Sequence, residues 1–166
     1  MRGWNVLIAL HALGATFSLM VGLVVLRTPR KGNLFHRRLG IVWMGAMYWT
    51  VLSSFWVKQL RPGHFSWIHA LSVWTFFSLT MALWAAKTGR RQLHQGWVVG
   101  SYLGLLGAGI AAMAFPVRLA PQLLLHRPLV FAAAVVAMAG VTAAVVRLAK
   151  RPARRTVRRQ EVAAAR

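Results

Sequence analysis

Five stretches of the chain stay apolar long enough to cross a bilayer, and the polar residues collect between them. The runs cover Trp4–Leu26, Leu39–Val57, Phe65–Ala86, Trp97–Phe115 and Leu129–Leu148. Each holds 19 to 23 residues, close to the ~20 needed to span roughly 30 Å of hydrocarbon at about 1.5 Å per residue. Hydrocarbon offers the backbone no hydrogen-bond partners, so the runs predict helices, which satisfy their own amides. Thr28-Pro29, Arg61-Pro62-Gly63 and Arg127-Pro128 punctuate the connections. The expected fold is an all-α integral membrane bundle of about five transmembrane helices over residues 1–148, followed by a basic tail over 149–166. The first run is too long for a cleaved signal, and Arg27, Arg30 and Lys31 follow it where a small-residue cleavage site would stand. It predicts a retained helix.

Composition narrows the chemistry. Of 166 residues 58% are hydrophobic, with a mean hydropathy of +0.54, too apolar for a water-soluble domain of this size. Cysteine is absent, which removes disulfides, thiolate metal sites and cysteine nucleophiles. Aspartate is absent too, and the one acidic residue, Glu161, lies in the tail. Paired-carboxylate hydrolysis, carboxylate-held Mg²⁺ or Ca²⁺ and proton relays through intramembrane carboxylates are excluded. Among side chains that titrate near neutral pH, histidine remains. A hydrolase or transferase is disfavoured, and a redox protein stays open.

The 21 Lys and Arg give a net charge of +20. These charges lie between the apolar runs and in the tail, so the expected partner is anionic phospholipid at the bilayer surface, not nucleic acid, each cation contributing about 1 kcal/mol. Residues 27–38 carry five, 87–96 three and the tail from Arg147 eight, against five in all on the opposite side. Positive charge gathers on the cytoplasmic side, so the N-terminus is expected outside and the C-terminus in the cytoplasm. Trp4, Trp56, Trp67 and Trp97 fall near run ends, where indoles anchor at the interface.

An offset of 58 residues carries Leu10-His11-Ala12-Leu13 onto Ile68-His69-Ala70-Leu71, and His36 onto His94. Helices 1–2 and 3–4 then read as two pseudo-repeated hairpins of the same orientation, related by an axis along the membrane normal. That axis predicts two histidine pairs: His11 with His69 near the outer side, and His36 with His94 at the inner mouths of helices 2 and 4. Opposed imidazoles on neighbouring helices suit axial ligation of a b-type haem, since helix bundles build cofactor sites from facing side chains. Gly14 and Gly40 share the faces of His11 and His36 and leave room for a flat macrocycle. Arg37, Arg38, Arg90 and Arg91 are the candidate partners of haem propionates. Other uses of the same residues stay open. An intramembrane histidine commonly serves as an interhelical hydrogen-bond donor. Lys31-Gly32-Asn33 and Thr88-Gly89-Arg90-Arg91 both open helices, where free N–H groups and the dipole favour an anion. Two histidines per layer fall short of a zinc site, and no metal is expected.

The stretch from about Leu7 to Arg118 resembles a family of bacterial predicted membrane proteins, domain of unknown function 2306. The resemblance rests on His11, Gly32-x-x-x-His36-Arg37-Arg38-Leu39-Gly40, His69-Ala70-Leu71, His94 and Pro116-x-Arg118. Family members typically read His-Arg-Arg-Trp-Met at the fourth helix, where this chain has His94-Gln95-Gly96-Trp97-Val98. The resemblance implies a bacterial inner-membrane protein with a four-histidine core, and leaves helix 5 and the tail outside. Two functions are expected from these observations together. One is a bis-histidine haem electron-transfer module with a membrane redox partner. The other is a non-enzymatic module that binds or carries a lipid or small molecule, or scaffolds the subunits of a membrane complex.

Overall fold

In a computed structural model, which describes residues 6–56, 67–114 and 119–152, the chain is helical between short turns. The helices are α1 (Val6–Arg27), α2 (Leu34–Ser54), α3 (Trp67–Lys87), α4 (Arg91–Ala114), α5 (Leu119–His126) and α6 (Pro128–Lys150). The N-terminal residues with Trp4, the segment holding Lys58, Arg61 and His64, residues 115–118 with Pro116 and Arg118, and the tail beyond 152 lie outside the described residues.

Helix α2 begins at Leu34, five residues ahead of its apolar run, and α4 at Arg91, six ahead. The runs mark where side chains become oily, whereas a helix begins where its first amides find a cap. At α2 that cap is Asn33, whose Oδ1 accepts from the His36 amide at 2.8 Å, an arrangement that stabilises a helix by about 1 kcal/mol. Gly32 and Gly89 take positive φ in the turns after α1 and α3, a backbone shape glycine adopts without strain. The 116–128 connection, expected as a loop, contains the eight-residue α5. Its Pro121 sits in the first turn, where the missing N–H costs no helical bond.

Four helices, α1, α3, α4 and α6, are long and apolar enough to cross a membrane. Helix α2 has the length, about 31 Å for its 21 residues, but a more polar composition. Its surroundings explain that. Leu39, Trp43, Met47, Thr50, Val51, Ser53 and Ser54 are all buried, so its polar positions meet protein. Helix α1 packs on α2, α2 on α3, α3 on α4, and α4 back on α1, closing a four-helix ring. Among the described residues the backbones of the diagonal pairs α1/α3 and α2/α4 stay more than 8 Å apart, Cα to Cα. Helix α6 lies outside the ring against α1 and α2, and α5 bridges α1, α4 and α6.

Hydrogen bonds from aromatic side chains tie both α2 and α4 to α1. The Trp43 indole donates to the Ser18 carbonyl at 3.0 Å, and the Tyr102 hydroxyl donates to the Leu19 carbonyl at 3.3 Å. Both rings lie over Gly22, where a Cβ would stand 2.5 Å from Trp43 Nε1 and 2.7 Å from the Tyr102 ring. A small residue that admits close helix approach is the usual device where lipid leaves little hydrophobic drive. Trp97, expected at a helix end, instead lies in the second turn of α4, its ring 6.1 Å from Trp74 and 5.7 Å from Phe77.

Candidate functional site

The up-down course of the ring puts the histidines at two depths. At the end where α1 and α3 begin, His11 and His69 flank the last turn of α2. The Ser53 hydroxyl donates to the Thr50 carbonyl at 3.1 Å, so its lone pair receives Nδ1–H of His11 at 2.9 Å. One residue on, the Ser54 hydroxyl bonds that of Ser72 at 2.7 Å, tying α2 to α3. His69 is buried, 4% exposed, with its ring 6.0 Å from Phe55. His11 meets Ser53 and His69 meets Phe55, two residues apart at the end of α2. Hydroxyls next to the histidines thus knit three helices together at this level.

At the other end, His94 lies in the first turn of α4 and bonds the Ala82 carbonyl of α3 through Nδ1 at 2.9 Å. A carbonyl only accepts, so Nδ1 of His94 is the donor in this contact. His36, in the first turn of α2, is close enough to His94 and Lys31 for their charges to act on it. Its Nδ1 is buried without a hydrogen-bond partner among the described residues. Lys31 itself caps α1: its ammonium donates to the Val25 carbonyl at 2.9 Å and the Leu26 carbonyl at 2.6 Å, and desolvation pulls its pKa below the usual lysine range.

The arginines of the sequence motif divide in use. Arg38 reaches across to α6, where Nη1 donates to the Ala149 carbonyl at 3.5 Å and to the Arg151 carbonyl. Arg90 stacks over the Trp84 ring at 4.5 Å. Arg37 and Arg91 are exposed. Of the two glycines expected to admit a macrocycle, Gly14 is filled: a Cβ there would meet Trp49 at 2.7 Å, whereas Gly40 faces open space. No group of three or more His, Cys, Asp or Glu forms among the described residues.

Beside the His36–His94 level a groove of about 630 Å³ opens between the end of α1, the Thr28–Asn33 turn and the end of α6. Val24, Phe35 and Val146 supply apolar walls; Arg27, Arg30 and Lys150 stand around it. The Lys150 ammonium lies 5.9 Å from the Phe35 ring centroid. Sequence reasoning read these cations as indicators of sidedness and as partners of anionic headgroups, without bringing them together at one cleft. It also missed the Ser53, Ser54 and Ser72 hydroxyls, though a Ser-Ser doublet closing an apolar run and a serine three residues after His69 were the available signal.

An all-helical membrane bundle with polar groups layered at both ends is what these observations define. The chain belongs to the family described as predicted membrane protein (DUF2306), whose profile matches residues 8–151. The match extends past Arg118 and takes in α5 and α6, so the fifth long helix belongs to the family unit, contrary to the expectation from the motifs. No curated protein and no solved structure matches the chain.

Proposed function

We propose that this protein is an electron-transfer module in which His11 with His69, and His36 with His94, hold b-type haem across the diagonals of the ring. The observation that carries the reading is the hydrogen bond from His94 Nδ1 to the Ala82 carbonyl, with its counterpart from His11 Nδ1 to Ser53. A histidine that ligates a metal through Nε2 characteristically donates its other nitrogen to a fixed oxygen, which sets the tautomer and the ring plane. A haem bound there would supply one-electron chemistry. The chain's own residues would fix the imidazoles and offer Arg37 and Arg91 as propionate partners. Arg38 and Arg90 are engaged elsewhere at the bundle end. The basic end faces the cytoplasm in this reading, and a membrane redox partner exchanges the electron.

The measurement is a visible spectrum of the purified chain before and after dithionite, from cells supplied with haem precursor. Sharp reduced-minus-oxidised bands are expected, with roughly half the haem lost in His94→Ala and half in His11→Ala. A colourless preparation would end this reading. A second reading, a non-enzymatic lipid-binding or scaffolding module, is favoured by the groove of cations beside α6.

A further inference from the structure

The groove between α1 and α6 holds three cations, Arg27, Arg30 and Lys150, around apolar walls from Val24, Phe35 and Val146. Nothing inside the described protein answers that charge, because residues 6–152 contain neither Asp nor Glu. Neighbouring cations that could have been drawn into the groove are already engaged. Lys31 caps the carbonyls of α1, and Arg38 those at the end of α6. The same contacts tie the turn to the end of α1, and α2 to the end of α6, at two walls of the groove. Asn33 spends its Oδ1 on the His36 amide, so its amide N–H₂ remains for an acceptor. Clustered cations repel one another, and with no Asp or Glu among residues 6–152 the described protein supplies no compensating anion.

The shape of the site selects the anion. A free phosphate would be met equally well by any exposed arginine pair in water. Here the cations rim an apolar cleft at the end of membrane-crossing helices, and its volume falls within the roughly 300–1,000 Å³ of small-molecule sites. An amphiphile with one anionic head and an alkyl chain satisfies both halves at once. The geometry points to a specific, stoichiometric site for one anionic phospholipid, its phosphate among Arg27, Arg30 and Lys150 and the start of an acyl chain against Val24, Phe35 and Val146. This site stands independently of the haem reading. It also accounts for the placement of α6, whose last two turns form one wall of the site and are held by Arg38 from α2.

Native mass spectrometry of the full chain, delipidated in detergent and titrated with dioleoyl phosphatidylglycerol or dioleoyl phosphatidylcholine, tests it. One phosphatidylglycerol per chain is expected, bound roughly tenfold or more tighter than phosphatidylcholine. Replacing Arg27, Arg30 and Lys150 together by Gln should erase that preference. Val146→Trp, which fills the cleft and keeps every charge, should weaken the same lipid by roughly tenfold. Replacing Arg90 and Arg91 by Gln, a charge loss at the same end but outside the groove, should leave it within about twofold. Equal loss in that control would reduce the effect to diffuse attraction and overturn the site. Competition by millimolar inorganic phosphate with Val146→Trp behaving as wild type would assign the cations to a free anion and overturn it as well.

Discussion

Helices α2 and α6 are nearly equal in length, yet they meet opposite surroundings. Helix α6 has the most apolar window of the chain and is the least buried of the candidate spans. Leu129, Val136 and Leu148 are 84%, 71% and 53% exposed. Helix α2 carries Ser53, Ser54, Thr50, Tyr48 and two arginines, and supplies Trp43, Leu39 and Met47, three of the largest fully buried side chains. In water this ordering would be inverted. In lipid, an oily surface is already solvated, so burial is reserved for the helix whose polar groups need protein partners. The helix that looks least like a membrane span is the one around which the others assemble.

That contrast can be broken or sharpened by substitution. The largest expected effect is Trp43→Ala, which empties the space over Gly22 and removes the bond to Ser18; a loss on the order of 3 kcal/mol is expected in detergent unfolding titrations. An effect near zero would mean that α2 is not the packing centre. Next is Val136→Arg on the bare face of α6, expected to cost insertion about 2.5–3.5 kcal/mol, read as the inserted fraction in a membrane-integration assay. Val136→Leu at the same position should stay within about 0.5 kcal/mol. The smallest effect belongs to the Ser54–Ser72 bond. A double-mutant cycle with Ser54→Ala and Ser72→Ala should show a coupling of roughly 0.6–1 kcal/mol, and no coupling would remove the hydroxyl tie between α2 and α3.

The two ends of the bundle differ in a related way. Where α2 ends, serine hydroxyls and the His11 imidazole bond one another within the ring. Where it begins, arginines and lysines crowd together, some spent as helix caps and some left facing the groove. An anionic ligand from outside is to be sought at the second end. The first is adapted to hold helices, and ring planes, in place.

Much of this was legible in the chain itself. Apolar runs near twenty residues fix the long helices, because no other backbone shape satisfies itself in hydrocarbon. The His11-to-His36 spacing and its echo at His69 and His94 place the imidazoles at two depths, because helical rise is constant. What a linear pattern lacks is the angle of each helix around its neighbours. Only the packed ring decided that Gly14 receives Trp49, that Arg38 reaches α6 while Arg27 and Arg30 border a cleft, and that Ser53 orients His11. Rise along a helix is a property of the backbone and repeats everywhere, but azimuth is settled by which side chains interlock, and that is known once all the helices are in place.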